Sequence, residues 1–426
     1  MNGTPARESG FWPVVRVSSG NFLEMYDFMV FGYYAAAIAE TFFPSHNPFA
    51  SLMLALMTFG AGFLMRPLGA IILGAYADRA GRRAGLLLTL GLMAVGTVSL
   101  ALTPGYAAIG LIAPLLVLAG RLLQGFSAGM ELGGVSVYLS EIAPPGRKGF
   151  YVSWQSASQQ VAVVAAASIG LVLTSQLGHA QMNAWGWRIP LWIGCLIVPI
   201  LFLLRGSLKE TAAFSARKVH PSTRQILAAL AVHWRIVGVG VMLTTMTTVS
   251  FYMITAYTPT FGVGVLHLSS LAAFVVTLCV GVSNLVWLPV MGALSDKVGR
   301  RPLLIACTAA MILTAYPAML WLVGAPSFGR LLVVELWLSF LYASYNGAMV
   351  VYLTEIVPAD LRASGFSLAY SLATAIFGGF TPAITQALIQ FTGNKAMPGV
   401  WLSAAAAMGL LATGLAGRLK AAPEAG

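Results

Sequence analysis

The chain has 426 residues, of which 58% are hydrophobic and only 9% charged, where soluble domains carry about 25% charged residues. That balance excludes a soluble enzyme or binding module and makes the lipid bilayer the medium that sets element lengths. A formal net charge of +11 would suit a nucleic-acid partner, but the positions of the basic residues assign it to membrane orientation instead.

In chain order, the polar opening MNGTPARESG is followed by an apolar run at 14–40. This run is long enough to span and lacks an A-x-A-like cleavage site, so a retained helix is expected rather than a removable signal peptide. Further runs follow at 50–77, 84–103, 107–138, 150–176 and 187–206. A polar stretch with Lys209, Arg217, Lys218 and Arg224 comes next, and then runs at 232–261, 268–294, 302–323, 328–353, 364–390 and 398–417. A helix needs about 20 residues to cross the hydrocarbon, whereas a barrel strand needs about 10 with strict alternation. The expected fold class is therefore an all-α multi-pass membrane protein with twelve transmembrane helices. Its expected units are an N-terminal six-helix bundle (1–206), a cytoplasmic linker (207–231) and a C-terminal six-helix bundle with a short tail (232–426).

With the N-terminus placed inside, 19 of the 24 Lys and Arg residues fall in cytoplasmic segments, three fall outside (Arg188, Arg330, Lys395), and two lie within spans (Arg66, Arg121). The positive-inside rule thus puts both termini in the cytoplasm. The three cysteines, Cys195, Cys279 and Cys307, are odd in number and sit in apolar runs, which argues against a disulfide framework.

Two short patterns occur twice. Gly74, Asp78, Gly81, Arg82 and Arg83 reappear as Gly292, Asp296, Gly299, Arg300 and Arg301, offset by 218 residues. Tyr138-Leu139-Ser140-Glu141-Ile142 with Pro144 reappears as Tyr352-Leu353-Thr354-Glu355-Ile356 with Pro358, offset by 214. Parallel repeats with a substrate site between them are a common plan among secondary transporters. No phosphate-cradling loop, metal-ligand cluster or nucleophile–base set is present, so no enzyme, cofactor or metal is expected.

Ionisable groups inside the bilayer are costly and mark functional positions. At about 1.5 Å per residue, Arg66, Glu131 and Asp27 each lie some 15–18 Å from their cytoplasmic ends, near mid-membrane. Arg121 lies further out, on a face shared with Gln124, Ala128 and Glu131 and flanked by Gly125 and Gly129. Glu24 and Asp27 share a face, as do Gln155 and Gln159. The second half offers mainly neutral groups: Asn284 at the repeat equivalent of Arg66, Thr248, Tyr252, Tyr342 and Asn346. Arg66 and Asp27 could neutralise one another as a structural pair, or each could serve a transported solute.

The G-x-x-x-D-[RK]-x-G-R-R loop and its echo resemble the signature of the major facilitator superfamily. GNFLEMYDF, FLMRPLGA, RLLQGFSAGMELGGVSVYLSEIAPPGRKGF and FGGFTPAITQALI resemble its metabolite:proton symporter branch, in particular the citrate–proton symporters. The resemblance implies two pseudo-symmetric six-helix bundles, a bacterial inner-membrane location, a monomer, and import of a tricarboxylate with protons. Arg66 and then Arg121 are expected to hold substrate carboxylates, since a guanidinium offers paired planar donors. Gln155, Gln159, Tyr252, Tyr342 and Asn346 would complete the substrate site. Asp27, Glu131 and Glu24 are the proton-coupling candidates. Gly74, Asp78, Arg82, Glu141, Arg147, Asp296, Arg300, Glu355 and Arg362 are expected at a cytoplasmic gate. Met130, and an acid at Glu335, depart from the branch's pattern. Symport of a dicarboxylate or zwitterionic osmolyte, drug export, and a receptor that binds without transporting stand as alternatives.

Overall fold

The computed structural model describes residue 14 and residues 22–80, 82–129, 131–206, 231–358 and 362–421, with the side chains of 74–75, 77–80, 82–83, 86, 131–134, 179, 204–206, 363 and 418–421 outside that description. The side-chain surroundings of Gly74, Asp78 and Arg82 of the first repeated loop and of Glu131, and nearly all of the linker, therefore lie outside that description.

The described helices fall into twelve span-length segments at the positions of the twelve apolar runs. Span 1 is Phe22–Tyr33 with Ala35–Phe42; span 2, Pro48–Leu64 with Arg66–Ala80; span 3, Arg82–Leu102; span 4, Ile112–Ala128 with Glu131–Ile142; span 5, Lys148–Gln176; and span 6, Ile189–Gly206. Span 7 is Trp234–Tyr252 extended by Met253–Tyr257, Thr258–Thr260 and Phe261–Val265. Spans 8, 9 and 10 are Ser270–Val298, Arg300–Gly324 and Phe328–Ile356. Span 11 is Arg362–Ala373 with Thr374–Gly378 and Thr381–Thr392, and span 12 is Met397–Ala421.

Local chemistry sets several of these ends. Asn47, Ser269 and Ser327 accept backbone N–H bonds from Phe49, Ala272 and Arg330 and so cap spans 2, 8 and 10. Span 10 stops at Ile356 because Pro358 disfavours the helical conformation of the residue before it. Span 2 breaks at Met65, beside Pro67, whose ring nitrogen has no hydrogen to bond the preceding turn. The break lies next to Arg66. Three segments wind as π-turns, Met253–Tyr257, Phe261–Val265 and Thr374–Gly378, a geometry that frees carbonyls and recurs at functional sites.

Leu196, Leu203, Leu313 and Phe391 are each more than 70% exposed, a pattern that lipid stabilises and water does not. The interior face is closed by interbundle pairs: span 5 with span 8, span 2 with span 11, span 1 with span 7, and span 4 with spans 10 and 11. At the end carrying the Arg-rich loops, Gly149 meets Gly292. At the opposite end, Phe274 packs on Tyr33 and Tyr34 with centroids 5.7 and 5.9 Å away. The bundles touch at both ends.

Spans 2 and 4 approach unusually closely. A Cβ on Gly125 would collide with the Gly62 carbonyl oxygen, and one on Gly129 with that of Arg66. Small residues four apart allow this contact between membrane helices, and here it brings the backbones that carry Arg66 and Arg121 together. Gly125→Ala should therefore lower stability by about 1–3 kcal/mol, read as a drop in melting temperature in detergent. Gly238→Ala, where an added Cβ meets nothing, should be neutral or stabilising; equal effects would contradict the close-approach account.

Candidate functional site

Span 1 supplies the floor of a charge cluster buried where spans 1, 2 and 4 meet. Arg66 is 1% exposed, and its Nη2 donates to Glu24 Oε1 at 2.7 Å. Its guanidinium lies 4.4 Å from the Phe63 ring centroid and 5.0 Å from that of Phe28. Arg121 is fully buried and lies 4.1 Å from the same Phe28 ring, 4.7 Å from Phe31 and 5.4 Å from Phe59. Aromatic faces stabilise a desolvated guanidinium through the ring quadrupole, so Phe28 serves both cations.

Arg121 Nη1 donates to Gln124 Oε1 at 2.8 Å, while Gln124 Nε2 donates to Asp27 Oδ2 at 3.1 Å. Thr97 also donates its hydroxyl to Asp27. The amide thus stands between cation and anion with each end matched to its neighbour. Two acids and two arginines make this cluster neutral overall, as a low-dielectric site requires. Asp27 Oδ1, Arg66 Nε, and Arg121 Nε and Nη2 make no hydrogen bond among the described residues.

The Arg66–Asp27 pairing considered from depth alone is not formed; Glu24 holds Arg66. The reason is angular. Three residues advance a helix by about 300°, so Asp27 points some 60° away from Glu24, towards spans 3 and 6, where Gly194 leaves room for it. Arg121, expected near the outer end, reaches inward to the same aromatic ring as Arg66.

Next to Arg66 is a narrow cavity lined by Met25, Arg66, Gln159, Thr248, Phe251, Tyr252, Tyr370 and Thr374. Both bundles contribute to its wall. Of the expected substrate residues, Arg66, Gln159 and Tyr252 face it. Tyr342 packs on Phe251 with ring centroids 5.8 Å apart and planes tilted by 40°, and Asn346 Nδ2 donates to the Tyr342 hydroxyl at 3.4 Å. Gln155 accepts from Ser156 and keeps its Nε2 unpartnered. Tyr370, which sequence reasoning weighs as a packing or interfacial tyrosine, was not among the expected substrate residues, and neither Thr374 nor the aromatic platform of Phe28 and Phe63 was singled out from the sequence. Thr374 is legible only as one of many membrane threonines until the π-turn it begins turns it towards the cavity.

At the basic end, the second repeated loop forms a compact lock. Asp296 accepts from the backbone N–H groups of Gly149 and Phe150 at 2.8 and 3.1 Å. It thereby caps span 5 of the other bundle, whose own N-cap residue, Arg147, makes no side-chain cap. A carboxylate is favoured there by the exposed N–H groups and the helix dipole. Arg300 pairs with Asp296 at 2.7 Å and with Glu355 at 3.3 Å. Glu141 and Arg147 face solvent, and Arg362 begins span 11 with its Nε unpartnered; neither Glu141, Arg147 nor Arg362 joins the Asp296–Arg300–Glu355 network among the described residues.

A family model described as sugar (and other) transporter matches residues 13–415. The chain is 59% identical over 414 residues to a citrate-proton symporter of Salmonella typhi, covering 97% of this chain and 95% of that one. It is 60% identical over 400 residues to a citrate-proton symporter of Klebsiella pneumoniae, covering 94% and 90%. Its fold is similar to the xylose transporter XylE from E. coli in a partially occluded inward open conformation, with a TM-score of 0.74 and 19% identity over 94% of this chain and 96% of that one.

The lock at Asp296 predicts that Asp296→Ala weakens closure of the basic end. Losing charge-assisted bonds worth about 1.5–3 kcal/mol should raise thiol labelling of a cysteine placed at Ser153, in a background lacking the three native cysteines, by about tenfold or more. Unchanged labelling would remove Asp296 from the gate.

Proposed function

The chain belongs to the sugar (and other) transporter family, and from that premise we propose that it imports citrate together with protons by alternating access. The observation that carries the coupling scheme is the Arg66–Glu24 pair at 2.7 Å beside a cavity built from both bundles. A citrate carboxylate and the Glu24 carboxylate compete for one guanidinium. While Glu24 is ionised it holds Arg66; once Glu24 takes a proton, the pair loses its attraction and Arg66 is free to bind substrate bidentately. Proton and tricarboxylate therefore load together.

Asp27 acts as a second acid through Gln124, biasing Arg121, and Glu131 remains a third proton-coupling candidate. Gln159, Thr248, Tyr252, Tyr370 and Thr374 supply neutral donors around the substrate's remaining oxygens, and Gln155, Tyr342 and Asn346 support them from behind.

The protein is a multi-pass inner-membrane protein. In this reading both termini and the Asp296–Arg300–Glu355 lock are cytoplasmic, and the net positive charge orients the chain rather than engaging nucleic acid. A single copy suffices, because the site lies within one chain. The halves 1–206 and 232–426 rock about the linker 207–231, with the lock opening inward.

The test is uptake of radiolabelled citrate into proteoliposomes under an inward proton gradient, with succinate, tricarballylate, proline and betaine as competitors. The expected result is accumulation abolished by a protonophore; uptake indifferent to the gradient would overturn the coupling. Arg66→Lys should weaken citrate affinity by about 10- to 100-fold, as expected for loss of about 1.5–3 kcal/mol in a charged hydrogen bond. Glu24→Gln should keep citrate–citrate exchange while losing gradient-driven accumulation. Full accumulation by Glu24→Gln would move the coupling role to another acid, with Asp27→Asn the next variant to measure.

A further inference from the structure

Glu335 follows Arg121 by 214 residues, the same offset that relates Tyr138 to Tyr352. An acid thus stands in the second bundle where the first carries an arginine. It lies about 12 Å along span 10 from the Ser327 cap, 1% exposed. Its Oε1 lies 3.2 Å from Thr258 Oγ1, and its Oε2 has no hydrogen-bond partner among the described residues.

Thr258 sits between the two π-turns of span 7, which leave two carbonyls facing its hydroxyl: Ile254 O at 2.9 Å and Met253 O at 3.3 Å. A hydroxyl has one hydrogen. If the shorter carbonyl contact takes it, as in the usual bond of a helical threonine to the preceding turn, the contact with Glu335 is satisfied only when the acid itself supplies a hydrogen. Ionised, Glu335 would be a buried charge without a cation, a costly arrangement.

Several charged and titratable groups on the elements packed around span 10 are engaged elsewhere. The Tyr257 hydroxyl donates to Gln386 on span 11. Tyr316 of span 9 accepts from Asn394. Arg300, Asp296 and Glu355 pair with each other at the basic end, and Arg330 bonds the Trp321 carbonyl. Within span 10, Tyr345 donates to the Leu243 carbonyl. Further along the same helix, span 10 does reach towards the site. Ser339, one turn on, donates to Asn284 at 2.8 Å, and Asn284 donates to Gln160 at 3.2 Å, next to Gln159 in the cavity wall. Tyr342 and Asn346 continue the same face of span 10.

We propose that Glu335, with Thr258 as its positioning partner, is a second proton-binding site of the transport cycle, so that the C-terminal bundle carries a proton of its own alongside those exchanged near Arg66. Loss of that proton forces Thr258 to turn its hydroxyl to the carboxylate and give up Ile254, which lies in the π-turn that directly follows the cavity-lining Tyr252. The site rests on the symport reading above, and the following experiment separates the two. Proteoliposomes holding wild type, Glu335→Gln or Glu335→Asp are clamped at known proton and citrate gradients, and the voltage and pH at which net citrate flux reverses give the proton count per citrate.

A wild type that shows no proton dependence defeats the symport reading itself. With a proton-coupled wild type, the expected result is that Glu335→Gln transports one proton fewer per citrate and that Glu335→Asp keeps the full count. An unchanged count in Glu335→Gln overturns the proposal. If Glu335→Gln is folded but takes up nothing, retained citrate–citrate exchange supports a lost coupling step, and absent exchange overturns it. If it does not fold, infrared difference spectra of wild type decide: a protonated-carboxyl band that changes on citrate binding and shifts in Glu335→Asp supports the site, and its absence overturns it. Thr258→Val should shift the pH profile of uptake in wild type but not in a Glu335→Gln background.

Discussion

Two guanidinium ions within the hydrocarbon layer constrain everything around them. Each would be costly alone, and the structure neutralises them as a group: Glu24 directly on Arg66, Asp27 through Gln124 on Arg121, and one phenyl ring beneath both. The glycine contacts between spans 2 and 4 follow from this, because only backbones that nearly touch bring the two arginines to a shared ring. Pro67, by ending the first part of span 2, puts Arg66 at the start of a fresh helix rather than in the middle of a continuous one. A neutral cluster with several unused donors can exchange one internal anion for an external one at modest cost, which is what a coupled transporter requires.

The two halves use the same scaffold for different chemistry. The first carries the arginines and their acids. The second replaces Arg66 by Asn284 and Arg121 by Glu335, and it builds its side of the cavity from Thr248, Phe251, Tyr252, Tyr370 and Thr374. Neutral hydroxyls and rings can slide past a polyanion as the bundles rock, whereas a second set of fixed cations would hold it in place. The division also explains why the lock at the basic end joins halves through Asp296 and a helix N-terminus: a single carboxylate against backbone N–H groups is strong when aligned and is lost on a small rotation.

Much of this was legible in the sequence. The twelve apolar runs, the doubled Asp-x-x-Gly-Arg loop and the rarity of charge within spans led to the span positions, the repeat and the choice of Arg66, because hydrocarbon permits few alternatives for backbone or charge. What depth and spacing could not supply was direction around each helix. Asp27 and Glu24 look interchangeable at i, i+3, and only packing shows that one faces span 2 and the other spans 3 and 6. The aromatic platform was equally hidden, since Phe28, Phe59 and Phe63 are indistinguishable in sequence from phenylalanines that face lipid. The π-turns, which turn Thr258 and Thr374 inward, carry no signature beyond their threonines, as their geometry arises from tertiary contact.

The central claim is that citrate binds by displacing Glu24 from Arg66 and that Glu24 takes a proton as it does so. The most direct measurement is calorimetric titration of the purified protein with citrate, at a pH where citrate is fully ionised, in two buffers of different ionisation enthalpy. The account predicts net proton uptake by the protein on binding, and a smaller uptake in Glu24→Gln with citrate affinity retained. Binding of citrate with no proton taken up, or with the same uptake in Glu24→Gln, would contradict it.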